Sequence, residues 1–155
     1  MTIAMVKHPR REKNYWFHIP DGLVSVVKTG SAVICDTRRG TQIGIVVSMF
    51  QHDGNDAVVR ALLEQNGATF PLRKIIAVYG AMPISKIVIP DRMRHTTPRD
   101  KKVAARCLEW YQFGHFQTEV VVNQNFVLSD GYSAYFVAKE LGHKTIRVRV
   151  EVNGK

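Results

Sequence analysis

The stretch from Val120 to Glu151 constrains the fold most, because apolar runs and an amphipathic repeat follow one another there in a readable order. Val120, Val121 and Val122 form a continuous β-branched run, the pattern of a strand buried on both faces. Asn123-Gln124-Asn125 is turn-like, and Phe126-Val127-Leu128 resumes the apolar run. Asp130 stands where a helix N-cap belongs, its carboxylate set to accept from free N–H groups. Beyond it Ala134, Val137, Ala138 and Leu141 recur at i, i+3, i+4 and i+7, which makes one apolar helix face. Gly142 is placed to stop that helix in a left-handed conformation. Thr145 to Val150 then alternates, with Ile146, Val148 and Val150 on one side and Arg147 and Arg149 on the other. The expected order is strand, strand, helix, and a half-buried strand with a basic outer face.

A second helix is signposted upstream. Thr97 reads as its N-cap, Pro98 as its first residue and Asp100 as a short capping-box partner. Val103, Ala104, Cys107, Leu108 and Tyr111 form the expected buried stripe, and Gly114 ends the helix. Arg99, Lys102 and Arg106 line up along another face. Seven cations, Lys86, Arg92, Arg94, Arg99, Lys101, Lys102 and Arg106, stand here against Asp91 and Asp100. A solvated helix face is the ordinary reading of such spacing. With Arg94 and His95 in the preceding loop, and a helix N-terminus that favours anions, it also reads as an anion-contacting surface.

The N-terminal half reads as β-structure. Residues 1–13 carry Lys7, Arg10, Arg11 and Lys13 and suggest a flexible basic arm or a plain solvated terminus. Tyr15 to Ile19 is strand-like up to Pro20, and Asp21-Gly22 is a turn. Leu23–Lys28, Ala32–Cys35 and Ile43–Met49 read as three further strands, with Thr37-Arg38-Arg39-Gly40 as a hairpin loop. Arg38 and Arg39 sit at its tip, either touching phosphate or simply solvated. Tyr15, Trp16 and Phe17 cannot all face one side of a strand. They divide between core packing and a stacking platform for bases. Gln51 to Asp56 is loop-like, Ala57 to Asn66 a short helix closed by Gly67, and Ile75 to Val78 a strand flanked by Arg73 and Lys74. Gly80 to Pro83 is the expected linker.

From Asp130 to Val150 the text DGYSAYFVAKELGHKTIRVRV resembles the ParB/sulfiredoxin-like family: a strand, a small-residue turn, a helix ending in AKELG, then a strand. Ile87-Val88-Ile89-Pro90 is similar to the family's opening strand, so the resemblance spans about residues 83–152. It implies CTP binding and hydrolysis with DNA clamping, nuclease activity, or ATP-dependent sulfinic acid reduction. Those activities lean on an arginine just after the turn glycine, where this chain has Gly131, Tyr132, Ser133 and Ala134. Lys28 to Val47, KTGSAVICDTRRGTQIGIVV, resembles SH3- or OB-like small barrels, which serve many functions.

The expected architecture is therefore α+β: a basic arm over 1–13, a small β-barrel-like module over 14–82, and a ParB/sulfiredoxin-like α/β module over 83–155. A net charge of +9 and a sequence pI near 9.8 point to a polyanionic partner. Cys35 and Cys107 have no CxxC neighbour, which argues against zinc and disulfide frameworks and for buried thiols in a reducing cytoplasm. No apolar leader and no 18-residue apolar run is present, so no membrane span is expected. The six histidines, His8, His18, His52, His95, His115 and His143, show no HxxxH or HExxH spacing. Asp130 is the carboxylate a nuclease would use, and Glu119 could approach it across a strand pair. Ser133 has no His or Asp partner that spacing predicts.

The reading is a non-enzymatic binder of nucleic acid or nucleoprotein, with no cofactor, no metal and no catalytic residue. Its candidate contacts are Arg10, Arg11, Arg38, Arg39, Arg92, Arg94, Arg99, Lys101, Lys102 and Arg106. One alternative is a phage or mobile-element inhibitor or accessory protein acting on a protein partner. The other is a residual nucleotide hydrolase or nuclease.

Overall fold

Strand β1 (Thr2–Lys7) corrects the expectation of a flexible basic arm over residues 1–13. Ile3, Ala4 and Val6 are fully buried, and β1 pairs antiparallel with β2 (Asn14–Ile19) on one side and β4 (Gly40–Gln51) on the other. A terminal segment ordered this way buries apolar area worth roughly 1.5–3 kcal/mol per large side chain. A solvated arm has no such term. The cations of residues 8–13 belong to the β1–β2 connection, where Arg10 takes a left-handed φ of 64°.

The structure, a computed structural model, describes residues 1–51 and 57–152, so the polar loop expected to end at Asp56 lies outside the described residues from position 52 onward. The chain divides into two compact units, Met1–Tyr79 and Gly80–Lys155. In the first, the strand order is β2-β1-β4-β3-β5, with β3 at Ala32–Thr37 and β5 at Ile75–Pro83. β3 pairs antiparallel with both β4 and β5. The barrel expected here is not closed: β2 meets the chain before β5 only through an isolated bridge between His18 and Lys74. Leu23–Lys28 is not a strand. Asp21–Leu23 is a 3-10 turn, further turns follow, and Leu23 and Val27 anchor the segment in the core. Residues 80–83, expected as a linker, continue β5. Helix α1 spans Ala57–Gln65 and buries Leu63.

In the second unit β6 (Val121–Asn123) lies between β8 (Thr145–Glu151), parallel to it, and β7 (Leu128–Asp130), antiparallel. Val120, Val121 and Val122 are all buried, as a strand with two covered faces requires. Ile146, Val148 and Val150 are buried while Arg147 is exposed, so the alternation in β8 is real. Helix α4 (Tyr132–Glu140) buries Ala134, Val137 and Ala138. Asp130 is not its N-cap. The cap residue is Gly131, at φ 87°, and the Asp130 carboxylate accepts instead from the N–H of Gly131 at 2.8 Å.

Helix α2 (Asp91–Arg94) precedes α3 (Asp100–Phe113). Arg99 holds the cap position of α3, so Thr97 and Pro98 lie outside the helix, and Gly114 closes it in the left-handed region. The expected buried stripe of α3 is turned. Val103 and Cys107 are half-buried, whereas Leu108 and Tyr111 are 56% and 81% exposed. Trp110 takes the inward position, its ring 4.2 Å from His143 and 5.4 Å from Phe116.

Candidate nucleic-acid interface

Three pieces of the first unit converge on a cleft of about 880 Å³: the β1–β2 connection, the β3–β4 hairpin tip, and the segment 67–74 that leads into β5. Each arrives there for a local reason. β3 and β4 register Thr37 opposite Gly40, which leaves Arg38 and Arg39 as a two-residue tip. Gly40 supplies a φ of 96°, and the Thr37 hydroxyl donates to the Gly40 carbonyl at 2.6 Å while accepting from the Arg39 N–H at 3.2 Å. Arg11 follows the tight turn at Arg10, its N–H donating to the His8 carbonyl at 3.2 Å. The third piece is tied down by two backbone bonds, His18 N–H to Arg73 O at 2.8 Å and Asp36 N–H to Lys74 O at 2.9 Å.

The cationic wall comprises Arg11, Arg38, Arg39, Arg73 and Lys74. The one carboxylate in the lining, Asp36, sits 3.6 Å from Arg73, so the excess charge is positive. Aromatic rings stand beside these cations. Tyr15, Trp16 and Phe70 are half-buried at the cleft, while Phe17 is buried in its floor. Neighbouring β2 residues point to opposite faces, which divides the three aromatics as their spacing requires. Tyr15 and Phe17 both pack on His8, at 5.7 and 5.6 Å, and Trp16 packs on Phe50 at 6.0 Å.

His8 is the buried polar group of the floor, 4% exposed. Its Nδ1 lies 2.8 Å from the Ile43 carbonyl. A carbonyl only accepts, so Nδ1 donates in this contact. Nε2 is buried and has no hydrogen-bond partner among the described residues. His18, at the edge of this region, is held below its ordinary value of 6.5 first by burial and then by Lys74, with Asp21 opposing. Cys35 is buried behind the wall and its thiol is pushed up to about 12 by desolvation, which makes it inert; Cys107 is half-buried and also a free thiol.

Of the other sequence candidates, Arg10 is exposed on the β1–β2 connection outside the cleft lining, and the remaining six lie in the second unit, where Arg94 and Arg106 are ion-paired. Arg94 is 3.5 Å from Asp91 and donates to the Ile89 carbonyl at 3.2 Å. Arg106 faces inward: its Nε is 3.1 Å from Glu109 Oε2, close enough for an ion pair but out of line for a hydrogen bond. The pair is 20% and 14% exposed. Arg92, Arg99, Lys101 and Lys102 are exposed on α2, its following loop and the first turn of α3. Glu119 turns to Arg149 at 2.5 Å rather than to Asp130. At the positions of the family arginine motif, the Tyr132 hydroxyl donates to the Thr96 carbonyl at 2.7 Å, and Ser133 and Ala134 are buried. Among the described residues no three metal-ligating side chains cluster, and no helix is long and apolar enough to cross a membrane.

Sequence reasoning missed Arg73, Lys74 and Phe70 as cleft residues. The available signal was the pairing of a Phe-Pro step with two adjacent cations just ahead of a strand, PLRKII.

Fold and site together describe a basic α+β protein of two compact units with an aromatic-walled cationic cleft in the first. Over part of its length it is similar to known ParB structures. A solved Pnob8-like ParB-N domain matches with a TM-score of 0.41 and 19% identity, over 48% of this chain and 29% of that one. A second structure of the pNOB8-like ParB N-domain matches with a TM-score of 0.41 and 18% identity, over 49% and 28%. The chain thus spans less than a third of the length of these relatives. No protein-family model matches the sequence. No curated protein matches it significantly.

Proposed function

We propose that the protein is a non-enzymatic nucleic-acid binder whose contact surface is the cleft of the first unit. The observation that carries this reading is the charge of that cleft: Arg11, Arg38, Arg39 and Lys74 have no ion pair among the described residues, and the lining carboxylate is matched by Arg73. Phosphate neutralisation by such side chains releases counterions and supplies sequence-independent affinity. A binding role rather than a catalytic one is supported by how the chemistry-bearing groups are engaged. Asp130 accepts from Gly131, Glu119 pairs with Arg149, and Ser133 is buried under its helix. Fluorescence anisotropy with labelled DNA and RNA at low and high salt tests the proposal. Binding at low salt that weakens steeply as salt rises is the expected result, and no binding at low salt rejects it.

A protein partner is the second reading, favoured by the apolar side chains that α3 leaves in solvent, Leu108, Tyr111 and Phe113. Isolated exposed apolar residues are ordinary, but Leu108 and Tyr111 are three residues apart and share one helix face, which supports a contact there. Co-purification of one partner that survives high salt, and is lost in Leu108→Ser with Tyr111→Ser, separates this reading from the first.

A further inference from the structure

We infer that the cleft of the first unit takes single-stranded nucleic acid, with an unpaired base stacked against Trp16 and Phe70 and the adjoining phosphates on the arginine tip. The inference rests on the nucleic-acid reading above and narrows it to one ligand class.

Shape is the first argument. Readers of the duplex major groove, about 12 Å wide, insert a convex element, a helix or a β-ribbon. The cationic surface here is concave, walled by two hairpin connections and the segment 67–74. A concavity of about 880 Å³ is the size in which proteins enclose small planar ligands, and it surrounds a nucleotide or two rather than a double helix.

Composition is the second. A site for phosphate alone needs cations and no rings. This one is lined by both: Tyr15, Trp16 and Phe70 together with Arg11, Arg38 and Arg39. Base faces stack on such rings without regard to sequence, while the backbone runs along the cations. The rings are also held in place. Trp16 is braced edge-to-face on Phe50 at an interplanar angle of 78°, and its indole N–H donates to the Asn66 carbonyl at 3.5 Å. The Arg60 guanidinium lies 4.7 Å from the centre of the Phe70 ring. Fixed rings lose little conformational freedom on binding.

The test compares three ligands of similar charge at one salt concentration: an oligo-dT single strand, the matched duplex, and inorganic polyphosphate. The single strand is expected to bind about ten-fold or more tightly than the duplex. Trp16→Ala is expected to lower single-strand affinity about ten-fold while leaving polyphosphate affinity within about two-fold. Retained polyphosphate binding doubles as the check that the variant is folded, and Phe70→Leu provides an independent second variant. Duplex binding as tight as single-strand binding overturns the inference, as does an equal loss of both polyanions in the two variants. No binding to DNA of either form overturns the nucleic-acid reading itself, a different failure.

Discussion

Gly131 shows how much one position can decide. Its φ of 87° lies in the left-handed region, and an added Cβ would stand 2.4 Å from the Glu119 carbonyl oxygen and 2.7 Å from the Val120 Cα. Both neighbours are backbone of the strand segment beside it, so neither can swing away. Left-handed φ alone costs a non-glycine residue about 1–2 kcal/mol, and the clash adds to it. Gly131→Ala should therefore lower stability by about 2–4 kcal/mol in urea unfolding. A loss below about 0.5 kcal/mol would show that the strand yields. His18 makes a second residue-scale prediction. Burial disfavours its imidazolium, so the folded state prefers the neutral ring. Its contribution is complete above the ordinary value of 6.5 and is lost as pH falls through the lowered folded value. Urea midpoints taken between pH 7.5 and about 5 should fall less in His18→Gln than in the parent chain; identical slopes would remove His18 from the account.

Elements were legible where one physical pattern dominated. β6, α4 and β8 could be read because burial on two faces, a 3.6-residue repeat and strict alternation are unambiguous signals. α3 was readable as a helix and misread in its orientation. Its apolar residues run almost all the way round, so the sequence does not say whether Leu108 or Trp110 points inward. The structure answers with Trp110 on His143 and with Arg106 beside Glu109. β1 was missed for a related reason: a short apolar strand ahead of a cation cluster looks like a tail until its two partner strands are known. The reassigned arginines separate cleanly in experiment. Arg38→Ala with Arg39→Ala should weaken DNA binding alike across sequences and reduce the salt slope by about one per cation removed. Arg106→Ala should leave binding unchanged and cost about 1–2 kcal/mol of stability, because among the described residues Glu109 keeps only its bond from the Thr118 hydroxyl at 3.0 Å. A reversed pattern would return the contact surface to α3.

At the scale of the whole chain, the charge of +9 was the one functional signal the composition carried, and it does not say where the partner sits. Clustering of cations along the sequence pointed to the segment from Lys86 to Arg106. Folding instead concentrates unpaired cations by bringing together residues near positions 11, 38 and 74, a proximity no local pattern encodes. The two distributions differ in a measurable number. Binding confined to the cleft engages Arg11, Arg38, Arg39 and Lys74, and for a single strand four neutralised phosphates give a plot of log affinity against log salt with a slope of about −3. Engagement of the exposed cations of α2 and α3 as well would steepen the slope to about −5 or beyond. Titrations of one oligonucleotide from about 50 to 200 mM salt distinguish these values, and the double variant at Arg38 and Arg39 should bring the slope from about −3 to about −1 to −2. A slope near −3 that those substitutions leave untouched would mean that the charge of the cleft is not what holds the strand.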